Sequence, residues 1–146
     1  MIRKMLISDV DEVYRIENQS FFEPWSKKNL LNDLEQNSIL EHFVYEESGK
    51  VSAFYIISHV LDELEIFTIA VDKEYRKKGI GSKLLEHMIK SAKEKKIRQI
   101  RLEVSTKNEA AINLYEKFGF KKMGVRKNYY QKTGEDAYNM MRQIYE

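Results

Sequence analysis

Residues 64–72, LEIFTIAVD, are a nearly continuous apolar and β-branched run near the middle of the chain. Such a run is typical of a central strand that is covered on both faces of its sheet. Residues 79–95 follow with an apolar stripe at helical spacing and with lysines at their C-terminal end, where the helix dipole favours cations. The sequence therefore predicts a buried strand that leads through a short connection into an amphipathic helix.

The segments around this unit predict further strands and helices. Before it come a short strand in IRKML, a helix capped at Ser8 and Asp9, a helix capped at Ser26, and strands at 43–47 and 51–57. After it come an alternating strand in RQIRLEV, a helix in NEAAINLYEKF that Gly119 stops, and a hairpin around Thr133-Gly134. Strands that alternate with helices and end in a hairpin indicate an α/β (α+β) fold with a mixed central sheet.

The composition bounds the class of protein. A length of 146 residues suits one domain, 1–146. The absence of cysteine excludes disulfides, thiolate metal sites and cysteine nucleophiles, and the three histidines lack metal-ligand spacing. No stretch approaches the roughly 18 apolar residues of a membrane span, and a net charge of +2 is too small to indicate nucleic-acid binding. We expect a cytoplasmic protein with no metal, no membrane and no direct nucleic-acid partner.

The connection between the central strand and its helix concentrates positive charge beside glycine. Its residues are Arg76, Lys77, Lys78, Gly79, Ile80, Gly81 and Ser82. A helix N-terminus presents unpaired N–H groups and partial positive charge, and glycine lets a phosphate approach the backbone. The loop is therefore either a solvated turn or a phosphate site. Its spacing excludes a P-loop, and Leu84 stands where a dinucleotide fingerprint needs a third glycine.

The loop resembles the pyrophosphate-binding motif of the GCN5-related N-acetyltransferase (GNAT) family. In that family RKKGIG would hold coenzyme A on backbone amides, after a strand that pairs with the pantetheine arm, here FTIAV. LEVSTKNEAAINLYEKFGF is similar to the family's second signature segment. IENQSF, PWS and RKNYY resemble the RimI-like subgroup, whose members acetylate the N-terminal alanine of a small-subunit ribosomal protein. The resemblance covers nearly the whole chain.

The resemblance implies a single-domain GNAT fold of about six to seven strands and about four helices. It also implies acetyl-CoA as co-substrate and the N-terminal peptide of a ribosomal protein as partner, bound by a monomer or weak dimer. The implied cofactor-binding residues are Ile69, Ala70, Val71, Arg76, Lys77, Lys78, Gly79, Ile80, Gly81, Ser82 and Asn108. Backbone amides near 69–71 would polarise the thioester carbonyl, where the family's strand diverges from its neighbour.

The resemblance assigns catalytic roles to two side chains. Glu103 matches the family's general base, and Tyr115 matches the tyrosine that protonates the thiolate of coenzyme A. From the residues alone, Glu103 is also compatible with a strand glutamate that faces solvent or pairs with Arg101. Tyr115 is likewise compatible with a core tyrosine, and Asn108 with a simple helix N-cap.

Two aromatic residues border the implied acceptor groove. Trp25 is either a core anchor or one wall of the peptide site, and Tyr130 either packs across the hairpin or lines the groove. An α-amino group is about a tenth neutral at pH 7, whereas a lysine is neutral about once in a few thousand molecules. A site with one modest base therefore suits an N-terminal amine. Lysine or small-amine acceptors, and a non-catalytic acyl-CoA-binding module, remain the alternatives.

Overall fold

The chain forms a seven-stranded mixed sheet with helices on both faces. The structure is a computed structural model and describes residues 1–20, 26–36 and 39–144. The strands are β1 (Ile2–Lys4), β2 (Leu40–Glu47), β3 (Lys50–Val60), β4 (Glu63–Val71), β5 (Gln99–Ser105), β6 (Lys121–Tyr130) and β7 (Glu135–Gln143). The helices are α1 (Val10–Ser20), α2 (Lys27–Gln36), α3 (Ile80–Glu94) and α4 (Glu109–Lys117), with short 3-10 turns at Ile7–Asp9 and Lys73–Tyr75. The predicted fold class is confirmed.

The strand order β1-β2-β3-β4-β5-β7-β6 puts β4 at the centre of the sheet. Neighbouring strands are antiparallel except β4 and β5, which are parallel. A parallel pair needs a crossover connection, and the amphipathic helix α3 provides it. The apolar run at 64–72 is therefore the central strand that its composition predicted.

The sheet separates two apolar layers. On one face α3 and α4 pack against β3, β4 and β5, and Leu84 and Met88 are fully buried there. On the other face α1 and α2 pack against β2, β3 and β4 through Ile16 and Leu30. Burial of these apolar stripes is the main favourable term for the fold.

A β-bulge at Phe67 changes the course of β4. Ile56 of β3 lies opposite Thr68, but Ile57 lies opposite Ile66, so Phe67 is an extra residue in β4. A bulge bends its strand and increases the local twist. Pairing of β4 with β5 covers only 63–66 against 99–102, so the two strands diverge beyond the bulge. The sheet therefore opens at the C-terminal ends of its two central strands.

Helix caps follow the sequence signals at two of three positions. The Oγ atom of Ser26 accepts the N–H of Asn29 at 3.1 Å, and Oδ1 of Asn108 accepts the N–H of Ala111 at 3.2 Å. The start of α1 differs from the prediction, because Asp9 reaches back and accepts the Leu6 N–H at 2.7 Å. Asp9 also pairs with Arg3 at 2.8 Å. The 3-10 turn that precedes α1 is thus closed by this carboxylate.

Several predicted strands have different ends in the structure. The strand expected over IRKML stops at Lys4, and the strands expected at 43–47 and 51–57 extend to Leu40 and Val60. Strand ends are set by pairing with neighbours, which local periodicity does not contain. Among the described residues, none of the helices is both long and apolar enough to cross a membrane.

Candidate active site

A cleft of about 920 Å³ opens where β4 and β5 diverge. Its walls are the ends of these strands, the inner face of α1, the first turns of α4 and the hairpin between β6 and β7. A volume of this size accommodates a small-molecule ligand together with part of a second reactant. The bulge in β4 and the short β4–β5 ladder therefore create the space in which chemistry can occur.

Glu103 projects into this cleft from β5. Residues 100, 102 and 104 are buried on the α3 face, so alternation points the Glu103 side chain to the opposite face. Its side chain is only 13% exposed, and Oε1 lies 3.4 Å from Nη1 of Arg126. Oε2 is buried and has no hydrogen-bond partner among the described residues. One carboxylate oxygen is thus available to accept a proton.

The cation beside Glu103 is Arg126, not the neighbouring Arg101. Arg101 instead lies 4.0 Å from Glu63. Arg126 reaches Glu103 from the edge strand β6, and its guanidinium also lies 5.1 Å from the centre of the Tyr129 ring. The Glu103 carboxylate is therefore held by a contact between two strands that are not neighbours in the sheet.

Tyr115 faces the cleft from α4 and is also a core residue. It is 5% exposed, and its ring lies 5.6 Å from that of Phe120. Burial, helped by the nearby Tyr130, raises the pKa of the Tyr115 phenol well above its ordinary value. The phenol therefore keeps its proton at neutral pH and is a weaker acid than an ordinary tyrosine.

Two adjacent tyrosines form the hairpin wall of the cleft. The rings of Tyr129 and Tyr130 meet edge to face with centroids 5.0 Å apart. Burial raises the pKa of Tyr130 to about 12, with further contributions from Tyr129 and Glu103. The register of β6 against β7 shifts between Arg126 and Tyr130, and both tyrosines line the cleft.

The connection before α3 has the backbone geometry of an anion site. Lys77 and Gly79 both have left-handed conformations, with φ of 64° and 81°. They lead into the N-terminus of α3 at Ile80, whose first N–H groups have no partner within the helix. This arrangement fits the pyrophosphate expected of coenzyme A.

Gly81 has a packing role that its sequence context does not show. A Cβ atom at this position would lie 3.1 Å from Cδ2 of Leu114. Glycine therefore lets the first turn of α3 approach α4 closely. The absence of a side chain at Gly81 permits close packing of the two helices, in addition to any approach of a ligand to the backbone.

Arg76 uses its guanidinium within the protein. Nε donates to the Val71 carbonyl at 2.9 Å, and Nη2 donates to Oγ of Ser20 at 3.2 Å. Lys78 lies 5.3 Å from the centre of the Tyr75 ring. The basic residues of the loop thus differ in their surroundings, although the sequence groups them together.

The structure brings some of the predicted site residues together in the cleft and leaves others outside it. Those that line the cleft are Ile69, Glu103, Asn108, Tyr115 and Tyr130. The side chain of Ala70 is buried against α1 and α2, and the loop at 76–82 lies outside the cleft lining. Trp25 falls outside the described residues.

Two buried polar residues of the cleft were not predicted as site residues. Glu17 of α1 is 2% exposed and accepts a hydrogen bond from Oγ1 of Thr68 at 3.2 Å. A signal for Glu17 was present, because it continues the apolar spacing of α1 through Val13 and Ile16. A carboxylate at an apolar helix position needs a buried partner.

Within the residues that the structure describes, no cluster of acidic residues and histidines suits a metal ion.

Relatives named for one activity match most of this chain. The sequence matches the model of the acetyltransferase (GNAT) family over residues 10–120. It is 39% identical over 136 residues to a Bacillus subtilis protein named as a candidate ribosomal protein bS18-alanine N-acetyltransferase, with 93% of this chain and 90% of that protein covered. It is 38% identical over 138 residues to the Escherichia coli ribosomal protein bS18-alanine N-acetyltransferase, with 93% and 92% covered.

Solved structures agree with these relatives. The crystal structure of the E. coli ribosomal-protein-S18-alanine N-acetyltransferase superposes with a TM-score of 0.91 at 37% identity, covering 100% of this chain and 94% of that one. Ard1 from Thermoplasma volcanium superposes with a TM-score of 0.89 at 32% identity, covering 100% and 98%. With its open central strands and its glycine loop before α3, the chain belongs to the GNAT family and is an acetyl-CoA-dependent N-acetyltransferase.

Proposed function

We propose that the protein acetylates the N-terminal alanine amine of a small-subunit ribosomal protein, the counterpart of bS18. The single observation that carries this proposal is that one cleft is lined by both the buried Tyr115 and Glu103, whose Oε2 has no hydrogen-bond partner among the described residues. The activity named for the E. coli relative supplies the acceptor. A ribosomal substrate would place the enzyme in the cytoplasm, acting as a monomer or weak dimer.

Acetyl-CoA would enter from the α3 and α4 side of the sheet. The backbone amides at 79–82 would hold its pyrophosphate, with Lys77 and Lys78 adding positive charge, and Asn108 would contact it from the start of α4. The pantetheine arm would lie along 69–71, where none of the described strands pairs with β4 on its β5 side. Amides on that open edge would polarise the thioester carbonyl.

The transfer itself requires one base and one donor. The neutral amine attacks the thioester carbon, and Glu103 accepts the proton that the nitrogen loses, directly or through water. The carbon–sulfur bond then breaks with its electron pair on sulfur. Tyr115 gives its proton to that thiolate and regains one from solvent. The raised pKa keeps the Tyr115 phenol protonated until the thiolate forms, so that it would donate to the sulfur as negative charge develops there.

An N-terminal amine suits this site better than lysine does. Glu103 is the carboxylate with a free oxygen at the diverging strands, and an α-amine needs only modest help to lose its proton. Tyr130 and, outside the described residues, Trp25 are proposed to contact the acceptor peptide.

The acceptor is tested with paired peptides and mass spectrometry. One peptide begins with a free alanine, and the other has a blocked N-terminus and a free lysine. We expect acetyl-CoA-dependent addition of one acetyl group to the first peptide only. Acetylation of the blocked peptide alone would reject the Nα proposal in favour of a lysine acetyltransferase. No transfer to either peptide, with coenzyme A still bound, would favour an acyl-CoA-binding module.

The catalytic roles are tested with conservative variants. Glu103→Gln and Tyr115→Phe should each lower kcat by about 10²-fold or more, the usual contribution of a general acid or base. Coenzyme A binding, followed by calorimetry, should stay close to that of the wild type. If both variants turn over at the wild-type rate, the assigned roles are wrong, and the paired peptides still decide the acceptor.

A further inference from the structure

The C-terminal half of α1 is bonded to the connection that leads from β4 to α3. Arg15 donates to Oδ2 of Asp72 at 2.8 Å. The N–H of Lys73 donates to Oε1 of Gln19 at 3.3 Å. Further along the connection, Nη2 of Arg76 donates to Oγ of Ser20 at 3.2 Å. These three contacts define a clamp between α1 and residues 72–76.

Asp72 is the buried end of this clamp. It is fully buried, and it also accepts the Glu74 N–H at 3.1 Å. Burial alone would raise the pKa of this carboxyl, but the hydrogen bonds from Arg15 and Glu74 outweigh burial and lower it. A buried carboxylate that depends on Arg15 fixes the start of the connection relative to α1.

Arg76 points toward α1 and not toward the helix that would receive phosphate. α1 packs on one face of the sheet, while α3 packs on the other. Nε of Arg76 is bonded to the last residue of β4, and Nη2 is bonded to the last residue of α1. The guanidinium thus joins the end of the central strand to the end of α1.

We propose that Arg76 is a positioning residue that holds the acceptor side of the cleft, and that it is not a ligand of the pyrophosphate. Glu17 and Ser20 of α1 line the cleft. The Arg76–Ser20 contact therefore holds the end of α1 where that helix borders the cleft. This inference rests on the proposed function for the identity of the acceptor.

The two roles of Arg76 make opposite kinetic predictions. Arg76→Ala should raise KM for the alanine peptide about threefold to tenfold, the effect of losing one or two charge-assisted hydrogen bonds. Its Kd for coenzyme A should stay within about twofold of the wild type. Arg76→Lys, which keeps one donor, should recover part of the loss. A rise in the Kd for coenzyme A with an unchanged peptide KM would overturn the proposal.

An acetyl donor that lacks the pyrophosphate separates the positioning role of Arg76 from a phosphate-binding role. S-acetyl-pantetheine lacks the pyrophosphate, so any penalty that arises from a lost phosphate contact must vanish with it. We expect the Arg76→Ala penalty on peptide KM to persist with this donor. Ser20→Ala should also raise the KM for the peptide. The double variant should have a KM no higher than that of Arg76→Ala, because each substitution removes the same contact between Arg76 and Ser20. Disappearance of the penalty with the truncated donor, or full additivity, would contradict the clamp.

Hydrogen exchange tests the clamp without any acceptor. In the free protein, amides at 16–20 should exchange faster in Arg76→Ala than in the wild type, since the end of α1 loses an anchor. Lys77→Ala is the matched variant from the same loop, and it should leave this exchange unchanged while weakening coenzyme A binding. Unchanged exchange in Arg76→Ala would refute the clamp. Failure of the alanine peptide to react, with faster exchange still observed, would refute only the proposed acceptor.

Discussion

Nη1 of Arg126 lies 3.4 Å from Oε1 of Glu103, which joins the edge strand β6 to the carboxylate in the central cleft. The contact leaves Oε2 of Glu103 without a hydrogen-bond partner among the described residues. Arg126 thus occupies one oxygen and orients the other. A surface cation on the last strand of the sheet takes part in placing the proposed base.

Arg126→Gln should therefore lower kcat/KM for the acceptor by about threefold to tenfold, since an exposed ion pair has a modest effect on a neighbouring group. Stability and coenzyme A binding should change little. Lys127→Gln is the matched control, because Lys127 is the next residue and pairs with Asp136 at 3.4 Å. Equal losses in the two variants would show that the edge strand, and not the contact with Glu103, is responsible.

Gly79 and Gly49 provide a matched pair for testing the cofactor loop. Both have left-handed backbones, with φ of 81° and 78°, and a Cβ added at either would meet nothing within 4 Å. Alanine at either position should therefore cost about 1 kcal/mol of stability through backbone strain. Only Gly79→Ala should also weaken coenzyme A binding in calorimetry. Equal affinities in the two variants would argue against the loop as the pyrophosphate site.

His42 and His87 should make the protein sensitive to mild acid. Burial lowers the pKa of both, with nearby Asp33 opposing the change at His42 and Lys90 adding to it at His87. A lowered pKa in the folded state contributes stability that is complete above the unfolded value of 6.5 and is lost as pH falls below it. The free energy of unfolding in urea should therefore decrease from pH 7.5 to pH 5.5.

Glutamine at both positions tests this source of acid sensitivity. His87→Gln keeps an acceptor for the Tyr55 hydroxyl, which lies 2.8 Å from Nδ1 of His87. The double variant His42→Gln/His87→Gln should show a flatter dependence of stability on pH over the same interval. A slope equal to that of the wild type would assign the acid sensitivity to other groups.

Thr68→Val should destabilise the cleft wall by about 1 kcal/mol, because it removes the hydroxyl that donates to the buried Glu17. Thr68→Ser keeps the donor and is the control. The midpoint of thermal unfolding measures both. A Thr68→Ser variant that is less stable than Thr68→Val would show that packing of the methyl group outweighs the hydrogen bond.

The helices and the central strand could be predicted because their signals are local. The stripe of α3, the caps at Ser26 and Asn108, and the apolar run of β4 each lie within a single element. The extra residue at Phe67 could not be predicted, since only the register against Ile56 and Ile57 defines it.

The candidate site likewise contains residues that the sequence indicated and contacts that it did not. Glu103 and Tyr115 followed from a resemblance of continuous segments, and Glu17 was detectable as a carboxylate at an apolar spacing. Arg126 begins the RKNYY segment, but its contact with Glu103 was not detectable, because that contact depends on the pairing of β7 between β5 and β6. Arg76 was grouped with the loop lysines by charge, whereas its bonds to Val71 and Ser20 depend on where α1 ends.

Because of the bulge at Phe67, the opening of the sheet depends on the number of residues in β4. Opposite Ile56 and Ile57 of β3, β4 contains one extra residue, Phe67. The divergence of β4 from β5 starts at that residue. Substitution of the residues around the opening can alter which acceptor fits, while the open strand edge stays in place. Deletion of a single residue at 67 would return β4 to one continuous pleat. The proposed position of the thioester thus depends on the number of residues in β4, and the proposed choice of acceptor depends on side chains.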